Sequence, residues 1–358
     1  MTHATQQLQK LGQSIWLDNI TRTLLTTGTL ARYVDELSVT GLTSNPTILD
    51  KAVEASDAYD EQIRAGAASG ESLLFELALD DLRAAADLLR PAHERTAGED
   101  GWVSLEVSPD LAHDAAATVA EAVRLHAQAE RPNLFIKIPG TREGVEAIEE
   151  AIFRGVPINV TLLFSRPQYI AAAEAYLRGT ERRIAAGLQP GVRSVASLFV
   201  SRWDVAAADL VPPELRNRLG IAVATETYAA YRDLLASERW QRLHDAGAYP
   251  QRLLWASTGT KDPAASDVLY VEALAAPQTI NTMPDKTLLA YADHGHLRGL
   301  LSDDNGDVDQ TLYEFAQAGI DLDALAVRLQ QEGAAAFSAS WAKLLDCIAR
   351  KRDLLAAT

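Results

Sequence analysis

Eight short runs of β-branched or apolar residues, each followed by a longer stretch with helical spacing, limit what this chain can fold into more than any other feature. They are SIWLD (14–18), VTGLTSN (39–45), WVSLEV (102–107), NLFIKIP (133–139), PINVTLL (157–163), SVASLFV (194–200), RLLWAS (252–257) and QTINTM (278–283). A strand buried on both faces reads as a near-continuous apolar run, and strand–helix alternation builds a parallel sheet wrapped by helices. Eight is the count that closes such a sheet, so the pattern predicts an α/β fold, a (β/α)8 TIM barrel, in preference to an open doubly wound sheet. The 358 residues suit one barrel domain over 1–358, with additional helices from about 284 to 358 packing on it.

The connections carry their own punctuation. NITRTLLTTGTLARYVDE after the first run reads as a helix, and Asn45 and Pro46 fit the N-cap and first turn of another through TILDKAVEASDAYDEQI. Thr141 suits the cap of EGVEAIEEAIFR, which Gly155 ends; Ser165 and Pro167 open PQYIAAAEAYL. Beyond the eighth run come PDKTLLAYADHG, VDQTLYEFAQAG and a long amphipathic stretch from Leu322 towards Leu355. No internal repeat or low-complexity linker interrupts the chain.

Charge and composition exclude several roles. A net charge of −16 repels polyanions, so the chain is not expected to bind nucleic acid, and a phosphorylated ligand would need a locally basic pocket. The single cysteine, Cys347, forbids an intrachain disulfide, suits a reducing compartment and reads as a small core residue. No apolar run approaches the roughly 20 residues of a membrane span, and the first residues lack a signal-peptide pattern. A cytoplasmic protein without a membrane role is the expectation, with monomer and homodimer both open. No G-x-G-x-x-G follows the first strand, there is no H-E-x-x-H or cysteine cluster, and DHGH (293–296) falls where His294 and His296 would cap a helix or face solvent. No metal and no cofactor are expected.

Polar and ionisable residues inside the apolar runs carry the functional signal: Asp18, Asn45, Glu106, Lys137, Asn159, Thr161, Ser197 and Ser257. In a barrel of this kind the C-terminal strand ends build the active site. Lys137 interrupts LFIKIP, whereas the other six lysines lie in loop or helical contexts. Low dielectric disfavours the charged form of an amine, and a neutral amine is what attack on a carbonyl requires. A purely structural Lys137–Glu106 pair is the competing reading. Asp18 is either a proton-transfer group or a helix cap. Asn159 and Thr161 point to one side of their strand, as do Ser197 and Phe199; the amide and hydroxyl groups can hold a polyhydroxylated ligand, or Asn159 and Thr161 satisfy one another in a tight core. Thr43 and Asn45 pose the same choice, with Asn45 also a plain N-cap. Arg202, Ser257 and Lys261 follow late strands, where such barrels bind phosphate, although STGTK lacks the P-loop spacing.

Taken together, GLTSNPTIL (41–49), NLFIKIPGT (133–141), INVTLLFS (158–165) and SLFVSRWD (197–204), supported by WLDNI, VSLEV and INTMPDKTLLAYADHG, resemble transaldolase in its longer bacterial form. The resemblance spans nearly the full length and implies a class I aldolase-like barrel acting on sugar phosphates. It implies that Lys137 forms a Schiff base with a ketose phosphate and that Asp18 takes the proton of the substrate hydroxyl as the carbon–carbon bond breaks. Glu106 and Thr161 would shuttle protons through a water. Asn45 and Asn159 would bind the dihydroxyacetone hydroxyls and guard the enamine against water, with Thr43, Ser197 and Phe199 lining the pocket. One departure stands out: where many members carry Ser-x-Arg for phosphate, this chain reads Ser257, Thr258, Gly259, Thr260, Lys261. The cation comes two positions later and is a lysine, which binds phosphate as a flexible point charge. A simple aldolase using the same lysine, and a catalytically silent sugar-phosphate-binding barrel, remain as alternatives.

Overall fold

The computed structural model describes residues 3–44, 46–66, 68–301 and 306–357. Strands β1 (Ser14–Leu17), β2 (Val39–Thr43), β3 (Trp102–Glu106), β4 (Leu134–Pro139), β5 (Ile158–Leu163), β6 (Ser194–Phe199), β7 (Gln251–Ala256) and β8 (Thr279–Met283) form a closed parallel barrel in sequence order. Closure is made by β1 on β8, with Ser14 opposite Ile280 and Leu17 opposite Met283. Each strand falls within a residue or two of its apolar run, because burial on both faces demands an unbroken run.

The lower part of the barrel is filled by rings. Trp102 stacks on Phe135 with centroids 4.1 Å apart, and Trp16 lies 6.2 Å from Phe135. The indole N–H groups find partners at the barrel floor: Trp16 donates to Asp100 at 2.8 Å and Trp102 to the Gly98 carbonyl at 3.0 Å. Gly41 on β2 faces the Trp16 ring so closely that a Cβ there would sit 2.4 Å from it. Above these rings the interior turns polar, with buried Ser104, Asn159, Ser197 and Asn281.

The expected caps are present. Thr141 accepts from the Gly144 N–H ahead of the helix Arg142–Phe153, Gly155 follows that helix at φ +86°, and Ser165 accepts from the Gln168 N–H ahead of Arg166–Ala185. Two expected helices are each broken in two. The stretch after β1 divides into Arg22–Thr26 and Thr29–Leu37 at Gly28, whose φ of +73° is left-handed and ends the first helix. The stretch after β2 divides into Pro46–Ala55 and Asp60–Ala65, where Tyr59 turns inward to donate to Asp81 at 2.8 Å. Asn45, proposed as a cap, lies outside the described residues.

After β8 come the helices Asp285–His294, Gly306–Gln317 and Leu322–Ala356. The last is 35 residues long and crosses the helices that follow β2: Lys343 bonds Asp50 at 2.6 Å, Lys351 bonds Asp60 at 2.7 Å and Trp341 packs on Phe75. Cys347 is buried there, in the core position expected of it. Among the described residues no helix is long and apolar enough to cross a membrane.

Candidate active site

The register of the sheet sets Lys137 of β4 between Glu106 of β3 and Asn159 of β5. Lys137 Nζ donates to the Glu106 carboxylate and, at 3.1 Å, to the carbonyl oxygen of Ser44. Only 6% of Lys137 is exposed, so its ammonium depends on these acceptors and on the face of Phe337, whose ring centroid is 5.8 Å away. Burial pushes the Glu106 carboxyl above its usual range, against the opposing pull of Lys137. A carboxyl so placed can receive the proton that the amine must lose to become a nucleophile.

Asp18 stands just past β1, its N–H donating to the Met283 carbonyl at 2.8 Å across the seam of the barrel. Its carboxylate accepts from Thr43 Oγ1 at 2.9 Å, and Thr43 is 2.8 Å from Thr282. Burial raises the Asp18 carboxyl too, countered first by Lys137 and then by Thr43 and Lys261. Asp18 is not a helix cap: Thr21 caps the next helix, accepting from the Leu24 N–H at 3.3 Å.

Asn159 and Thr161 do not satisfy one another. Asn159 is fully buried, its Oδ1 accepting from Ser197 at 2.7 Å and its Nδ2 donating to Ser104 at 3.2 Å, so it supports the floor of the site. The Thr161 hydroxyl is buried with no hydrogen-bond partner among the described residues. It borders a cavity of about 30 Å³ together with Glu106, Lys137 and Phe337, the room of a single water.

The main cavity, about 710 Å³, opens at the C-terminal end of the strands and is lined by Asp18, Thr43, Lys137, Thr161, Ser197 and Phe199 among others. Arg202, Ser257 and Lys261 line it too, and Lys261 is near enough to Asp18 to act on its carboxyl. Among the described residues neither Arg202 nor Lys261 forms an ion pair; the Arg202 guanidinium lies 5.6 Å from the Phe199 ring centroid, and its partial burial pulls its pKa down. Ser257 adopts φ +56°, and its hydroxyl is 2.9 Å from that of Ser201. Two cations outside any ion pair among the described residues, beside two hydroxyls, make part of this acidic protein's cavity basic, as a phosphate requires, with Glu332 and Asp18 the carboxylates whose fields reach Arg202 and Lys261.

Sequence reasoning missed several contributors: the Ser44 carbonyl, Ser201 and Thr282 near the strand ends, and Leu329, Glu332 and Phe337 from the final helix. The strand-end residues had a signal, since they adjoin the quoted motifs. The helical ones had none, because nothing in an amphipathic pattern tells which turn crosses the barrel mouth. His294 and His296 are exposed, His294 between Asp267 and Asp293, and among the described residues no three His, Cys, Asp or Glu side chains gather where they could hold a metal.

A family model described as transaldolase/fructose-6-phosphate aldolase matches residues 15–348. The chain is 45% identical to the transaldolase of Saccharopolyspora erythraea, over 97% of either chain. It is 45% identical to that of Thiobacillus denitrificans, over 95% of this chain and 98% of the relative. It is 44% identical to that of Frankia alni, over 98% of each.

Proposed function

The chain belongs to the transaldolase/fructose-6-phosphate aldolase family, an enzyme of the transferase class, and from that premise we propose that its reaction runs through a Schiff base on Lys137. Sedoheptulose 7-phosphate gives a dihydroxyacetone unit to glyceraldehyde 3-phosphate, leaving erythrose 4-phosphate and fructose 6-phosphate, in the non-oxidative pentose phosphate pathway. The observation that carries this reading is the burial of one amine beside a proton-accepting carboxyl, in a cavity also lined by Arg202 and Lys261, which form no ion pair among the described residues.

Lys137 adds to the ketose carbonyl, and loss of water leaves a protonated Schiff base that draws electrons from the adjoining bond. Glu106 and Thr161 exchange protons with the departing oxygen through a water; the small cavity they share, and the unpartnered Thr161 hydroxyl, support that role. Asp18 removes the hydroxyl proton as the carbon–carbon bond breaks, and Thr43 holds its carboxylate in place. Asn159, steadied by Ser197, and Asn45 hold the hydroxyls of the retained three-carbon unit, with Phe199 as an apolar wall. Arg202, Ser257 and Lys261 take the phosphate, Lys261 standing in for the family's arginine. We further take 1–358 as one barrel domain, supported by the contacts of Leu322–Ala356 with the helices after β2, and the cytoplasm as its compartment.

Borohydride reduction in the presence of fructose 6-phosphate tests the reading. The wild type is expected to gain a stable adduct on the Lys137 peptide and Lys137→Ala none, with the circular dichroism of the variant unchanged. Absence of the adduct alongside retained sugar-phosphate binding would identify a silent barrel. Stoichiometric release of free dihydroxyacetone from fructose 6-phosphate alone would identify a simple aldolase.

A further inference from the structure

Three residues of the helix Leu322–Ala356 share one face and meet the site in succession: Gln330, Gly333 and Phe337. Gln330 Nε2 donates to the carbonyls of Gly140 at 2.9 Å and Leu162 at 3.0 Å. The Leu162 carbonyl is an unusual acceptor, for β5 shifts register between Val160 and Leu163, and Leu162 takes φ +57°, a conformation a bulky residue rarely adopts. Gly333 lets the helix come down on this irregularity, since a Cβ there would meet Leu162 Cδ2 at 3.0 Å. One turn further, Phe337 reaches the amine. Its ring borders both the substrate cavity and the water-sized cavity beside Glu106, a position shared with Lys137 and Thr161.

We propose that Phe337, seated by Gln330 and Gly333, is the barrier that keeps bulk water from the three-carbon unit on Lys137 and so sets how much of it is transferred and how much is lost. The proposal rests on the Schiff-base reading. After cleavage the retained unit is an enamine on Nζ. In transfer, its nucleophilic carbon bonds to the aldehyde carbon of the acceptor, the aldehyde oxygen takes a proton, and one water then releases the product from the iminium. In loss, the same carbon takes a proton from solvent, water adds to the iminium carbon, the carbon–nitrogen bond breaks, and free dihydroxyacetone leaves. Productive turnover therefore needs one held water, which the small cavity has room for; loss needs solvent at the carbon. A ring that borders both cavities beside Lys137 and Thr161, 5.8 Å from the amine, is placed to separate the two demands.

The test uses the full-length enzyme with fructose 6-phosphate, with and without erythrose 4-phosphate, and reads free dihydroxyacetone formed per transfer. Phe337→Ala is expected to raise that ratio about tenfold, Gln330→Ala to raise it less, and Phe337→Leu, which keeps most of the bulk, to stay near wild type. If the alanine variant does not fold, Phe337→Val opens the same gap and is read against the same ratio. An unchanged ratio in the folded variant overturns the barrier, whatever happens to kcat, because a merely structural role slows both branches alike. Borohydride trapping run in parallel keeps the two readings apart: no adduct in the wild type overturns the Schiff base itself, whereas adducts throughout with an unchanged ratio overturn only the barrier.

Discussion

Asp204 is buried at the end of the first turn after Arg202, and its carboxylate accepts from the N–H groups of Leu219 and Gly220 and from the Tyr270 hydroxyl. Burial nevertheless dominates and pushes its carboxyl up to about 6. A folded-state value above the unfolded one means that the native state holds the proton more tightly. The stabilising contribution is thus full below the unfolded value of 3.8 and is lost as pH rises towards about 6. Denaturant titrations of wild type and Asp204→Asn should therefore diverge, the wild type losing up to about 3 kcal/mol relative to the variant over that window. Parallel pH profiles would remove Asp204 as the titrating group. At this same scale the sequence pointed to candidate residues better than to their contacts. Lys137, Glu106, Asp18 and Thr161 stood out because polar groups interrupt apolar runs, but nothing showed that Asn159 would be claimed by Ser104 and Ser197. Partners across a barrel depend on register, which a linear pattern does not contain.

At the scale of elements, strands were legible and helix ends less so. The runs predicted every strand because an inner strand leaves no freedom in which face is apolar. The break at Gly28 was hidden because an isolated glycine is tolerated inside many helices; here it adopts a left-handed φ of +73° that stops one. The break before Asp60 was hidden because the inward pull on Tyr59 comes from Asp81, on a later helix. Packing between β1 and β2 supplies a direct check. A methyl at position 41 would lie 2.4–2.6 Å from three atoms of the Trp16 ring, which is itself held by Asp100 and flanked by Phe135. Gly41→Ala is expected to lower stability by about 1–3 kcal/mol, read as an earlier urea midpoint, while the folded fraction still forms the Lys137 adduct. A midpoint equal to that of wild type would show that the ring has room to give way.

For the molecule as a whole, charge sets a problem that the site must solve. A body carrying −16 repels its doubly charged substrates at long range, while Arg202 and Lys261, in the phosphate role proposed above, would attract them at contact. Salt shortens the reach of the repulsion, with a Debye length falling from roughly 30 Å at 0.01 M to about 8 Å at 0.15 M, and affects contact distances less. Over that range kcat/KM for fructose 6-phosphate should rise, by about twofold, in contrast to a decline if the local cations governed approach.

The seam between β1 and β8, and the reach of Phe337 to the amine, also bear on how the protein is made. Lys137 precedes in the chain both the Met283 carbonyl that the Asp18 N–H meets and the Phe337 ring 5.8 Å from its amine. During synthesis the lysine therefore appears before either of those neighbours, and its surroundings are complete only once Leu322–Ala356 has folded over the barrel.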